Sequence, residues 1–328
     1  MIETLATYES GSLDPFLNLA MEQHLLDTVG SGCCLLYLWQ NLNTVVIGRN
    51  QNPWAECRAS LLESEGGHLA RRLSGGGAVF HDLGNLNFTF LVPTEDYDLQ
   101  RQQRVLLESC RSFGIPAELS GRNDLTADGR KFSGNAFYHN GPQSYHHGTI
   151  MVDVDGEKLA RYLTPTKAKL EAKGVPSVRS RVVNLIELCP SLTIDGLKKA
   201  LINAFEAVYG LKSTPKELTE ADRQRIEALR ETYASWGWRF GPDLPFTFRC
   251  EGRFAWGGVE LQLEINEGVI RAARIYTDAM DHDLAGQAEG ALLGCVFQRG
   301  PLRQALLDSS LEQDQQDDLM GLLDPLLL

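Results

Sequence analysis

The sequence contains no C-x-x-C pair, although it carries seven cysteines, at Cys33, Cys34, Cys57, Cys110, Cys189, Cys250 and Cys295. An odd, scattered set excludes a disulfide framework and fits free thiols in a reducing compartment. The seven histidines form no H-E-x-x-H and no spacing of a structural zinc site, so no metal ligands are assigned. The phosphate-loop signature G-x-x-x-x-G-K-[ST] is missing, as is a dinucleotide fingerprint. Positive charge is scarce: 31 Lys and Arg stand against 43 Asp and Glu, for a net charge of −12. General nucleic-acid binding, which needs a basic footprint, is thereby excluded. No apolar run approaches the ~20 residues that span a bilayer. The opening "MIETLATYESGSLD" lacks the apolar core of a secretory signal, so a cytoplasmic protein is expected. No internal repeat is found.

What remains is a chain of 328 residues, 43% hydrophobic, long enough for one large domain and one small one. "DPFLNLAMEQHLL" (14–26) reads as a helix capped by Asp14 with Pro15 in its first turn. "CCLLYLW" and "TVVIG" read as buried strands, and "NPWAECRASLLESEGG" (52–67) as one helix. Strand-like segments at 68–73, 77–82 and 86–92 precede a helix over 96–114. Residues 122–139 read as two strands around an Asp-Gly turn, and 144–155 as another strand. Helices are expected near 193–209 and 216–231. Around residue 240 the texture changes to short strands with glycine turns, followed by helices over 283–297 and 300–326. The order is no regular βαβα alternation, so the expected class is α+β with a mixed or antiparallel sheet. The domains are set at 1–243 and 244–328.

Three segments carry chemistry. "RRLSGGGAVFHDLGN" (71–85) sets three consecutive glycines beside two permanent cations. Successive glycines can offer backbone N–H groups to an anion. Arg71 and Arg72, adjacent on a strand, should turn to opposite faces, so one can enter a site while the other pairs elsewhere. "DGRKFSGNA" (128–136) starts a strand with Lys131, and a period of two places Ser133 and Asn135 on its face. "TPTKAKLEAKGVPSVRSRVVN" (164–184) holds Lys167, Lys169, Lys173, Arg179 and Arg181 against Glu171 alone, a local excess of +4 in an acidic chain. A long basic loop broken by Gly174 and Pro176 has the character of a lid or binding loop. His146 and His147 precede "GT"; on a strand they turn to opposite faces.

Together these segments resemble the lipoate–protein ligase family. "RRLSGGGAVFHDLGN" resembles that family's hallmark loop and "GRNDL…DGRKFSGNA" the segment holding its essential lysine. "HHGT", "AKGVPSVRSRVVNL", "DPFLNLAMEQ", "TVVIGRNQNPW" and "FAWGGVEL" resemble further motifs, so the likeness covers most of the chain. It implies a large α+β domain related to biotin ligases and a small C-terminal α+β domain. It implies that ATP, with Mg²⁺, and lipoate give lipoyl-AMP and pyrophosphate. The lipoyl group, or octanoyl from octanoate, then passes to lipoyl domains of 2-oxoacid dehydrogenase E2 subunits and glycine-cleavage H protein. A monomer without nucleic-acid or membrane partners is expected. Carried over onto this sequence, the adenylate roles fall on Arg72, Gly77, Ala78, Val79, Phe80 and Lys131. Lys131 is also the catalytic residue. The lipoate side takes Lys131, Gly75, Gly76, His81, His147, Leu19, Ala20 and Met21. Lys173, Gly174, Val175, Ser177, Val178, Arg179 and Arg181 would cover the adenylate. The rival within the same fold is an octanoyl or lipoyl transferase using a cysteine; 111–188 holds none, which leaves Cys189.

Overall fold

Nine consecutive buried residues, Asn85–Pro93, form strand β6, and a strand buried on both faces belongs inside a sheet that is covered twice. The computed structural model describes residues 1–121, 123–164, 182–241 and 246–324, and places β6 inside an eight-stranded sheet. From one edge the order is Ser213–Pro215 (β11), Thr4–Glu9 (β1), Cys33–Trp39 (β2), β6, Gln143–Met151 (β10), Arg130–His139 (β9), Asp124–Ala127 (β8) and Ala117–Ser120 (β7). β1 pairs in parallel with β2 and β11, and the other neighbours are antiparallel. The sheet is therefore mixed, as expected for the α+β class.

Helices α4 (Leu99–Arg111) and α6 (Ile194–Tyr209) pack on each other over one face. There Leu36, Phe88 and Phe90 of the strands meet Val105, Leu201 and Phe205. The other face carries α1 (Pro15–Thr28), which lies on β6 and β10 and packs against α7 (Glu220–Ala234). Asp14 caps α1 as its sequence predicts, accepting from the N–H groups of Phe16 and Leu17. Covered on two sides, α1 buries polar residues as well, among them Asn18 and Glu22. A second sheet orders His68–Arg71 (β4), Thr44–Ile47 (β3) and Val79–His81 (β5).

Two expected helices are each divided. Residues 52–67 give α2 (Pro53–Glu56) and α3 (Ala59–Ser64), because Cys57 bridges to Leu163 and the Arg58 N–H donates to the Tyr162 carbonyl of α5 (Gly156–Tyr162). Residues 300–326 give α10 (Arg299–Leu307) and α11 (Gln313–Leu323). Ser309 Oγ accepts from the Leu311 N–H and stops the first helix, and a capping box from Glu312 starts the second.

The chain divides into two compact units. The first comprises Met1–Val46, Trp54–Arg71 and Val79–Arg239; the second comprises Ile47–Pro53, Arg72–Ala78 and Phe240–Leu328. Within the second, Phe248–Arg253 (β12), Gly258–Asn266 (β13) and Val269–Thr277 (β14) form an antiparallel sheet packed on Leu284–Leu292 (α9), α10 and α11. Among the described residues no helix is long and apolar enough to cross a membrane.

Candidate active site

In the first unit, the Asp-Gly turn forms as its sequence predicts: Asp128 and Gly129 both have positive φ, at 51° and 71°. Lys131 follows on β9, but not on the face expected. The β8–β9 register slips, so that Leu125 pairs with Ser133 and Thr126 with Lys131. This is a bulge at Phe132. Phe132 and Leu125 belong to the core under α4 and α6, and Ser133 opposite Leu125 turns the same way. Two successive residues on one face reverse the alternation, and Lys131 is thrown to the other. Its Nζ stands 2.9 Å from where a Cβ on Gly134 would be, so the ammonium lies over bare backbone. Ser133 and Asn135 therefore do not converge with Lys131. A period of two cannot reveal a bulge.

The Lys131 ammonium pairs with Asp124 at 2.6 Å, both side chains partly exposed. Its main chain is fixed as well, since the Lys131 carbonyl accepts from the Val183 N–H at 2.9 Å. Gly134, Ala136 and the directly opposed His147 share this face of the sheet, which is the one roofed by α1.

His147 Nδ1 lies 2.8 Å from Glu22 Oε1 of α1. The same oxygen accepts from Thr89 Oγ1 at 2.7 Å, and Thr89 Oγ1 accepts from Trp39 Nε1 at 3.1 Å. A second buried line runs from Asn18 Nδ2 to Asn41 Oδ1 at 2.9 Å and from Asn41 Nδ2 to His81 Nδ1 at 3.1 Å. Trp39 stands edge-on to His81 with ring centres 6.1 Å apart. The expected lipoate residues His81, His147, Leu19, Ala20 and Met21 are all buried, and Leu19 sits one turn before Glu22 on the helix. Glu22, Thr89, Trp39 and Asn41 were not foreseen. Glu22 had a signal, a lone acid within the apolar run "NLAMEQHLL". Phe80, buried beside Tyr162 at 5.6 Å, and half-buried Val79 also belong to this unit.

The glycine loop itself, Arg72–Ala78, belongs to the second unit. Its glycines have separate reasons. A Cβ on Gly75 would stand 2.3 Å from the Ala279 carbonyl oxygen and 2.6 Å from that of Met280. Gly76 has φ +89°, and its N–H donates to the Ala279 carbonyl at 3.0 Å. Only at Gly77 would a Cβ, among these three, meet nothing within 4 Å. Two of the three glycines thus accommodate the chain's own backbone. Neighbouring Gly48 is in the same position, its Cβ direction blocked at 2.3 Å by the Gly76 carbonyl oxygen.

The two arginines do separate. Arg71 donates from Nε to the Trp238 carbonyl at 2.9 Å and from Nη2 to the Arg239 carbonyl at 2.8 Å, at the end of the short helix α8 (Trp236–Phe240). Arg72 turns into the glycine loop. It donates from Nε to Ser74 Oγ at 3.0 Å and from Nη2 to the carbonyls of Gly75 and Gly77 at 2.7 and 2.9 Å. Asn50, from the "GRNQNPW" motif, donates from Nδ2 to the His282 carbonyl and accepts from the Thr277 N–H.

Lys173, Gly174, Val175, Ser177, Val178, Arg179 and Arg181 lie outside the described residues. Cys189 packs against the core on the α4 and α6 side, 3.5 Å from Ser191 Oγ. Among the described residues, Asp281, His282 and Asp283 bring potential ligand atoms within 4.8 Å of one another, with both carboxylates exposed. Asp281 uses an oxygen to accept from the Asp283 N–H.

Comparison with known proteins gives one answer. Residues 14–206 match the model of the lipoyl protein ligase A/B catalytic domain, and residues 243–323 that of the bacterial lipoate protein ligase C-terminus. The lipoate-protein ligase A of Psychrobacter cryohalolentis is 43% identical over 307 residues, 91% of each chain. The crystal structure of P. falciparum LipL1 in complex with lipoate aligns with a TM-score of 0.84 at 26% identity, over 97% of this chain and 98% of that one. A lipoate-protein ligase A bound with ATP aligns at 0.63 and 26% identity, over 74% and 99%.

Proposed function

The chain belongs to the lipoate–protein ligase family, and from that premise we propose that it joins lipoate to protein through an acyl adenylate. The lipoate carboxylate attacks the α-phosphorus of MgATP, giving lipoyl-AMP and releasing pyrophosphate. The neutral ε-amine of a lysine on a lipoyl domain then attacks the mixed anhydride, forming the amide and releasing AMP and a proton. The acceptors are E2 subunits of 2-oxoacid dehydrogenases and the glycine-cleavage H protein. The enzyme acts as a cytoplasmic monomer.

A carboxylate is a poor acyl donor because oxide would have to leave; the adenylate replaces it with AMP. Lipoate and the α-phosphate are both anionic, so their approach needs a fixed cation. Lys131 is the residue proposed for it, first between the carboxylate and the phosphate and then at the developing oxyanion. The observation that carries this reading is the placement of Lys131: an ammonium 2.6 Å from Asp124, over bare Gly134, on the sheet face roofed by α1. In the free protein Asp124 balances its charge, and the incoming anions take over that role. Leu19, Ala20 and Met21, with His81 and His147, are proposed to border the acyl chain.

Arg72 and the run Gly77–Phe80 are proposed for the adenylate, with Gly77 the loop glycine that has room for a ligand. Gly75 and Gly76 serve through the loop shape they permit. Lys173, Gly174, Val175, Ser177, Val178, Arg179 and Arg181 are proposed to cover the adenylate, which hydrolyses readily and benefits from exclusion of water.

The test is the intact mass of a lipoyl domain incubated with the protein, ATP and lipoate. A gain of one lipoyl group that requires ATP is expected. Transfer without ATP, or an acyl thioester on Cys189, would instead identify a cysteine-dependent transferase.

A further inference from the structure

His146 is fully buried, yet the reaction as proposed gives it no task. It points away from the Lys131 face, among Phe88, Phe90 and Phe137, with ring centres 5.3, 5.8 and 5.2 Å away. Its Nε2 is 2.7 Å from Asn135 Oδ1 and its Nδ1 is 3.2 Å from Gln102 Oε1. Burial pushes the imidazole down to about 3, so the ring is neutral and carries one N–H. Two oxygens cannot both be served by one proton. Gln102 Nε2 is meanwhile buried without a hydrogen-bond partner.

Asn135 decides between the possibilities. Its Nδ2 donates to the Asn123 carbonyl at 2.9 Å, and its own N–H donates to the same oxygen at 2.8 Å. Asn123 Nδ2 returns a bond to the Asn135 carbonyl at 3.1 Å. Turning the Asn135 amide over would set Oδ1 against the Asn123 carbonyl oxygen, so Oδ1 must face His146. The proton of His146 is then on Nε2. Nδ1 presents a lone pair, and the Gln102 amide must be turned so that Nε2 donates to it, which also removes the orphaned donor.

We propose that Gln102, His146, Asn135 and Asn123 form a one-way chain of donors that positions the Asp124–Lys131 pair. Each link donates to the next: Gln102 Nε2–H to His146 Nδ1, His146 Nε2–H to Asn135 Oδ1, and Asn135 Nδ2–H to the Asn123 carbonyl. That carbonyl begins the peptide whose other end is Asp124, and Asp124 holds the ammonium at 2.6 Å. The chain crosses the sheet from the α4 side to the Lys131 side. It extends the β8–β9 ladder one pair past Asp124 and Gly134. These four are positioning residues; none is required to touch a substrate. The role rests on the ligase reading proposed above.

The first test is the imidazole spectrum of the full-length protein labelled with ¹⁵N-histidine. His146, identified by the loss of its signals in His146→Phe, is expected to be protonated on Nε2 with a bare Nδ1. The second is the rate of lipoyl-AMP formation. His146→Phe keeps an aromatic ring in the cage but breaks both links, and is expected to lower kcat by ~10–100-fold. KM for lipoate and ATP should stay within about twofold, as for a loss confined to the transition state. His146→Gln, which can restore an amide donor toward Asn135, should recover much of the rate. A wild-type proton on Nδ1, or equal rates in the Phe and Gln variants, overturns the proposal. A wild-type protein that makes no lipoyl-AMP overturns the ligase reading and the positioning role with it, while the spectrum still decides the order of donors.

Discussion

A lysine at the start of a strand usually leaves its ammonium free in water; that of Lys131, though partly exposed, is held by Asp124 over the bare backbone of Gly134. Lys131→Ala is expected to lower lipoyl-AMP formation by at least the ~10²–10³-fold typical of deleting one stabilising donor. Pyrophosphate release measures it, and a near-wild-type rate would remove Lys131 from its role. The glycine loop offers a sharper comparison, because its members look alike in sequence and differ in space. Gly75→Ala drives a methyl group against the carbonyls of Ala279 and Met280 and is expected to cost about 1–3 kcal/mol of stability. Gly77→Ala meets nothing and should change stability by no more than ~0.5 kcal/mol. If Gly77 borders the nucleotide, the same variant raises KM for ATP. Denaturation midpoints and KM values for both variants, measured together, separate packing from ligand contact.

At the scale of elements, the bulge in β9 has the largest consequence for the site. It places Phe132 in the core and Lys131 on the opposite face. Gly134→Ala tests that geometry: φ at this position is not positive, so the backbone tolerates alanine, but the new methyl group displaces the ammonium. Activity is expected to fall ~10-fold or more through misplacement alone, with the thermal midpoint little changed; retained activity would show that Lys131 need not lie over Gly134. The termini of α6 and α7 carry a pH dependence. Hydrogen bonds from Thr219, with His24 adding to them, lower Asp222 to about 2; Lys212 and Ser213 do the same to Glu206. Carboxylates depressed on folding stabilise the protein above their unfolded value of ~4, and that contribution is lost as pH falls toward 2. Urea midpoints measured from pH 5 to pH 2 should fall less steeply in Asp222→Asn and Glu206→Gln than in the wild type. Equal slopes would mean that other carboxylates govern acid unfolding.

For the whole molecule, the grouping of Ile47–Pro53 and Arg72–Ala78 with Phe240–Leu328 makes the glycine loop dependent on residues some two hundred positions later. The Gly76 N–H has its acceptor at Ala279, and Asn50 has its partners at Thr277 and His282. A chain ending at residue 241 is therefore expected to lose lipoyl-AMP formation and the hydrogen-exchange protection of the Gly76 amide. Wild-type pyrophosphate release by the shortened chain would show that the loop holds its shape without those partners.

Local chemistry was written plainly enough to be read in advance. Asp14 before Pro15 starts a helix because its carboxylate accepts the first N–H groups, and Asp128-Gly129 turns a hairpin because both residues tolerate positive φ. The cluster of motifs was likewise sufficient to point to the family. Other features depend on partners distant in the chain. Whether 52–67 is one helix or two hangs on Leu163 and Tyr162. The face of Lys131 hangs on a one-residue slip against β8. Three identical letters in "GGG" stand for a close backbone approach, a left-handed turn and an open position, and only Ala279 and Met280 tell them apart. Strand alternation predicts that Arg71 and Arg72 diverge, but β4 ends at Arg71; that Arg71 closes a helix end and Arg72 holds the loop was settled by which carbonyls the fold brought within reach.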